Sequence, residues 1–285
     1  MKNPGFHLQS TNPDPDSYQD YSNQLTTTIL ITGANGQLGM TIQELYAGNR
    51  AFNFIFTSKP ELDITSKKQL DVFFDKYKFD YCINCAAYTN VEQAEKTPDL
   101  AYKVNAEAVK NLAEACKESN TTLIHISTDY VFDGDKKEPY TIEDVPNPIN
   151  EYGKSKLLGE AYIQDVLTDY FIIRTSWLYS KKYGKNFYKT ILEKAQKEDK
   201  LSITDEQTGC PTNTESLAKY IIDLIVYKSA DYGLKHVSDN KVMTWYHFAK
   251  EILSENKLNN KTKLVKTSNY VTFAKRPKNS ILLNE

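Results

Sequence analysis

Excess charge is the first thing missing. The 285 residues carry 35 Lys and Arg against 37 Asp and Glu, a net charge of -2. So close a balance leaves no electrostatic footprint for a nucleic-acid backbone or an anionic membrane surface, and neither partner is expected. Long apolar runs are missing too. A representative one, YIIDLIVY over residues 220–227, falls well short of the ~20 residues that span a bilayer. The opening stretch MKNPGFHLQSTNPDPDSYQDYSNQ lacks the apolar centre of a secretory signal, so the expected location is cytoplasmic. Cysteine is scarce, with four at 82, 85, 116 and 210. Cys82 and Cys85 form a CxxC, yet no second CxxC or histidine cluster completes a metal site. They lie in YCINCAAY, an apolar run suited to a buried strand, where residues three apart point to opposite faces. Reduced, packed thiols are the reading, and no metal is expected.

What is present is a rhythm. Residues 1–25 are rich in Asn, Asp, Pro, Ser and Gln, and read as a disordered extension. From Thr26, strand-like and helix-like segments alternate. Strands are predicted at 26–32, 52–57, 80–85, 122–127 and 170–176. Helices are predicted at 66–77, opening on the Ser66 cap, at 98–118 and at 150–167. This βαβαβ order predicts an α/β fold, a doubly wound parallel Rossmann sheet covered by helices. After about residue 177 the pattern loosens into helices near 184–197, 215–228 and 244–254 and short strands near 201–203 and 233–238. The expected division is a dinucleotide-binding domain over 26–176, including the 150–167 helix, and a smaller substrate-binding lobe over 177–285.

The first βα junction reads Gly33-Ala34-Asn35-Gly36-Gln37-Leu38-Gly39. Glycines there allow a tight turn and close approach of backbone N–H groups to a pyrophosphate, and the helix N-terminus adds positive potential. The spacing is GxxGxxG rather than GxGxxG, so its weight comes from the strand before it and the helix after it. The second strand ends in Thr57-Ser58-Lys59, with no acid for a ribose 2′-hydroxyl. That tilts the expectation towards NADPH over NADH. Asp63, in ELDIT, either accepts from an adenine amino group or caps the following helix.

EYGKSKLLGE over residues 151–160 sets Tyr152 and Lys156 one turn apart on a helix face. Alone, such a pair is commonplace on solvated helices. Its weight comes from Thr128, at the end of the strand HISTDYVFDG where parallel sheets bind ligands, and from the glycine loop. A ketone that accepts hydride needs a proton as well. A tyrosine acidified by a neighbouring ammonium could supply it.

A hydroxyl residue after that strand followed by Y-x-x-x-K resembles the extended short-chain dehydrogenase/reductases. GANGQLG, ELDIT, NCAAYTNVEQAE, YKVNAEAVKNLA, STDYVFDG, YGKSKLLGE, RTSWLYS, GKNF, DEQTGCPT and RPKNS then follow in order across nearly the whole chain after the extension. Together they resemble the dTDP-4-dehydrorhamnose reductase family. That resemblance implies NAD(P)H-dependent reduction of the C4 ketone of dTDP-4-dehydro-L-rhamnose, with Thr128, Tyr152 and Lys156 catalytic. It implies a cofactor site at Gly33, Asn35, Gly36, Gln37, Leu38, Asp63, Ile64, Ala86, Ala87, Tyr88 and Asn105, shared with Tyr152 and Lys156. It implies that Thr128, Asp129, Tyr130, Trp177, Asn186 and Arg276 meet the nucleotide-sugar, with Lys185, Phe187 and the 207–212 segment around them. A homodimer is compatible with the family. Some relatives bind Mg²⁺ through an acid near the position of Thr41, which is why no metal is expected here. Two rivals stay open: a nucleotide-sugar epimerase of the same superfamily, and a non-catalytic NADP-binding regulatory subunit.

Overall fold

The computed structural model describes residues 26–268 and 272–285; the expected disorder before residue 26 lies outside the described residues. The chain runs β1 (Thr27–Thr32), α1 (Gln37–Tyr46), β2 (Phe52–Thr57), α2 (Lys67–Lys76), β3 (Tyr81–Asn84), α3 (Val91–Lys96), α4 (Pro98–Tyr102), α5 (Ala108–Glu118), β4 (Thr122–Thr128), α6 (Glu151–Val166) and β5 (Tyr170–Thr175). After these come α7 (Phe187–Lys197), α8 (Thr214–Val226), the strand Gly233–His236 and α9 (Trp245–Glu255). Side-chain caps set many helix starts. Ser66 accepts from Gln69 N, Asn150 from Gly153 N and Thr244 from His247 N.

Six parallel strands form the sheet in the order Gly233–His236, β5, β4, β3, β1, β2. Strand alternation splits the core. Leu30, Cys82, Leu123 and Ile172 bury against α2, α5 and α6 on one face. Ile29, Ile31, Ile83, Ile124 and Ile173 bury against α1 and α8 on the other. The direction of winding reverses between β1 and β3, so a crevice opens beyond their carboxyl ends, and the glycine loop and the Ala86–Tyr88 segment both border it.

Two details differ from the sequence expectation. The helix at 98–118 is interrupted: a π-turn over Lys103–Glu107 separates α4 from α5. The extra residue in that turn brings Asn105 inward, and α6 comes so close that a Cβ on Gly159 would lie 2.1 Å from the Asn105 carbonyl oxygen. The chain also returns to the sheet after residue 177. Helix α8 packs Leu217 and Ile221 against Leu38 and Ile42 of α1, and Gly233–His236 pairs with β5. Both elements were expected in the C-terminal lobe. The apolar face of α8 covers the sheet, and Gly233–His236 extends it by one strand at the β5 edge. The lobe that remains is α7 and α9 packed with the parallel pair Lys200–Thr204 and Lys263–Thr267.

Candidate active site at the β1–β3 crevice

The glycine loop fits a dinucleotide. Gly33 adopts φ +65, and a Cβ there would lie 2.6 Å from Ala86 N, so the loop presses directly on the end of β3. Gly36 is the N-cap of α1 and no described side chain caps it, leaving the helix N-terminus to face an anion. Asn35 and Gly36 are exposed, whereas the Leu38 side chain is core, so only its backbone is offered to a ligand. Gln37 reaches the other lobe, donating to Leu178 O at 3.1 Å and accepting from Asn186 Nδ2 at 3.1 Å. Asn186 caps α7 and also bonds Ser180 O. It therefore ties the lobes together at the glycine loop, where it was expected to meet the sugar.

At the tip of β2 the structure adds an acid from further along the chain. No acid stands within Thr57-Ser58-Lys59, but Glu61 folds back so that its carboxylate accepts from the Ser58 N–H at 2.8 Å and from the Ser58 hydroxyl. Lys59 lies 3.8 Å from Asp63. Asp63 accepts from Thr65 N and Thr65 Oγ1, a local turn rather than the cap of α2, which is Ser66. The Ile64 side chain is buried in the core. Asn105 holds the β3 end in place: its Oδ1 accepts from Tyr88 N, and its Nδ2 donates to Tyr88 O and Ser155 Oγ. Ala87 is half-buried beside it.

Tyr152 opens α6, and Thr128 ends β4. Gly153 allows this approach, because a Cβ there would lie 2.1 Å from the Tyr130 carbonyl oxygen. Burial raises the Tyr152 phenol above its ordinary pKa, while the Thr128 hydroxyl beside it lowers it. Tyr130 packs edge-on to Tyr152 at 5.9 Å. Asp129 is buried and its pKa is pushed up to about 6 by that burial, against hydrogen bonds from Ser280, Ser176 and Thr128. Arg276 donates to Tyr130 OH at 3.2 Å and to Glu92 at 2.8 Å, with its buried Nε unpartnered.

Lys156 does not stand where helical spacing alone would put it. The i, i+4 relation shares a face with Tyr152, but the four-carbon stem carries Nζ inward to Ile126 O at 2.7 Å and His125 Nε2 at 3.0 Å. Burial lowers its pKa to about 8, with Glu160 acting the other way.

Trp177, with φ +47, stacks on Trp245 of α9 at 3.5 Å and 5° between planes. Phe187 stands 4.5 Å from Trp245, and Gln207 accepts from its indole N–H at 2.9 Å. Trp245 was missed, as were Glu92, Asn84 and His125. A histidine inside an otherwise apolar buried strand was the available signal, since a buried polar ring requires partners. The CxxC is packed and reduced. Cys82 faces Cys116, and the Cys85 thiol is pushed up to about 12 by burial.

The family model for the RmlD substrate binding domain matches residues 27–285. A dTDP-4-dehydrorhamnose reductase of Aggregatibacter actinomycetemcomitans is 39% identical over 264 residues, 89% of this chain and 90% of that one. A Bacillus anthracis dTDP-4-dehydrorhamnose reductase solved in complex with NADP superposes with a TM-score of 0.88 at 39% identity, covering 92% of both chains. One from Clostridium acetobutylicum gives 0.86 at 42% identity and 90% of each. A match that runs from the first sheet strand to the last residue leaves one assignment: the chain belongs to the RmlD substrate binding domain family.

Proposed function

We propose that this chain is an NADPH-dependent oxidoreductase that reduces the C4 ketone of dTDP-4-dehydro-L-rhamnose to dTDP-L-rhamnose, with Tyr152 as proton donor. The observation that carries the reading is the placement of Tyr152 and Thr128 together at the carboxyl edge of the sheet, beside the crevice under the glycine loop. The dTDP-4-dehydrorhamnose reductases among its relatives supply the substrate class, and the NADP complex of the Bacillus anthracis relative supports the cofactor. Gly33, Asn35, Gly36, Gln37 and Leu38 would cradle the pyrophosphate, and Ala86–Tyr88 would border the nicotinamide half. Glu61 on Ser58 is an acceptor suited to a ribose 2′-hydroxyl, which keeps NADH within reach as a more weakly bound cofactor.

A bound reduced nicotinamide supplies the hydride. The residues of the chain do the rest. Thr128 donates to the substrate oxygen and fixes its lone pairs towards Tyr152. Tyr152 delivers the proton as charge develops on that oxygen, and its closeness to Thr128 offsets part of the cost of burial. Arg276 can meet a diphosphate with a planar fork, though it must first give up Glu92. Trp177 and Trp245 form an aromatic wall next to the 207–212 segment where the base would lie.

The test is spectrophotometric. NADPH mixed with the protein should lose its absorbance only when dTDP-4-dehydrorhamnose is added, one equivalent per sugar. A stable signal with conversion of the sugar indicates an epimerase, and a stable signal with binding but no conversion indicates a regulatory subunit. Either result overturns the reading.

A further inference from the structure

Beneath the crevice a chain of polar side chains crosses three strands. Thr32 Oγ1 on β1 donates to Asn84 Oδ1 on β3 at 2.7 Å. Ala86 N donates to the same oxygen at 3.2 Å. Asn84 Nδ2 meets His125 Nδ1 on β4 at 3.0 Å, and His125 Nε2 meets Lys156 Nζ at 3.0 Å. All four side chains are buried.

The direction of each bond follows from one that cannot be reversed. A backbone N–H only donates, so the Asn84 atom facing Ala86 is its carbonyl oxygen, and the atom facing His125 is the amide nitrogen. That nitrogen also only donates, so His125 Nδ1 accepts and is bare. A neutral imidazole then carries its proton on Nε2, aimed at Lys156 Nζ. An ammonium has no lone pair to receive it. A charged Lys156 in this position would therefore put two donors face to face, at Asn84–His125 or at His125–Lys156. A buried donor left without an acceptor is destabilising.

We infer that at pH 9 Lys156 rests as an uncharged amine, accepting from His125 Nε2–H and donating to Ile126 O, and that Thr32, Asn84 and His125 are positioning residues that hold it in that state until cofactor binding draws in a proton. The inference rests on the proposed cofactor site. The surroundings agree with it. On α6, Tyr152 is a neutral phenol and Glu160 is committed to Arg174 of β5 and Ser127 of β4. On β4, His125 is itself held well below the usual imidazole range by burial and brings no charge. From the π-turn, Asn105 spends its amide on Tyr88 and Ser155 and brings no charge. Burial pulls the lysine in the same direction. When the nicotinamide ribose and Tyr152 need an ammonium, the amine must gain one proton from solvent and leave the histidine.

The experiment is calorimetry of NADPH binding at pH 9 in two buffers of different ionisation enthalpy, which counts protons and needs no turnover. The wild type should take up close to one proton per NADPH. Lys156→Met should take up none. Asn84→Asp is isosteric and accepts from His125 Nδ1–H, flipping the tautomer so that Nε2 accepts from a charged lysine at rest; uptake should then vanish while NADPH still binds. Binding by the wild type without proton uptake overturns the inference alone. Uptake that persists in Lys156→Met, or is unchanged in Asn84→Asp, does the same. A wild type that fails to bind NADPH overturns the cofactor reading along with it.

Discussion

Two ionisable side chains sit one turn apart on α6, equally buried, and the fold treats them in opposite ways. Glu160 accepts two bonds from Arg174 Nε at 3.1 and 3.2 Å, one from Arg174 Nη2 at 2.6 Å and one from the Ser127 hydroxyl. Its charge is met by a planar cation on the neighbouring strand. Lys156, at 1% exposure, meets a carbonyl and a neutral imidazole. A compensated buried charge locks strands and helix together; a buried amine without a counter-charge favours its neutral form and gains or loses its proton readily, which is the property a proton-transfer site requires.

The comparison can be broken by substitution. Tyr152→Phe, beside the uncompensated lysine, should lower turnover about 10²–10⁴-fold. Cofactor affinity, measured by calorimetry, should stay nearly as it was. Glu160→Ala should cost about 3–5 kcal/mol of stability in urea titration, because it strands Arg174 without a partner. Lys156→Met should abolish turnover without a comparable loss of stability. If Lys156→Met destabilises as much as Glu160→Ala, the distinction between the two fails.

Titration sharpens it further. Lys156 holds its proton with a pKa of about 8 when folded against an ordinary 10.5. Between those values the unfolded chain binds the extra proton, so stability should rise with pH across that window, by roughly 3 kcal/mol. In Lys156→Met that slope should disappear, as followed by urea midpoints at pH 8 and pH 10.5. A smaller effect is expected on the ligand side. Gly33→Ala, strained at φ +65 and against Ala86, should weaken NADPH binding about tenfold or more. Trp245→Ala removes the stack on Trp177, and should raise the KM for the sugar nucleotide a few-fold with NADPH affinity unchanged.

Local signals were the legible ones. Strand and helix alternation, the Ser66 cap and the glycine loop each depend on neighbours in sequence, and the elements they predicted are present, the 98–118 helix with a π-turn set into it. What stayed hidden depends on register between distant segments. Asn84 and His125 meet only because β3 and β4 pair with those two residues opposite each other. Glu61 reaches Ser58 through a turn whose course no period reveals. The aromatic wall needs Trp245, which α9 delivers from 68 positions beyond Trp177. Lys156 illustrates the same limit from the other side. Its place on the helix was plain, whereas the direction of a long flexible stem was decided by the sheet beneath it.

The reaction itself leaves a label that can be read directly. With NADPH carrying deuterium at the transferable position of the nicotinamide, the account predicts dTDP-L-rhamnose with deuterium on C4 of the sugar, as seen by proton NMR. A sugar product with C4 unlabelled, or NADPH recovered with its deuterium intact after the sugar has been converted, would contradict it.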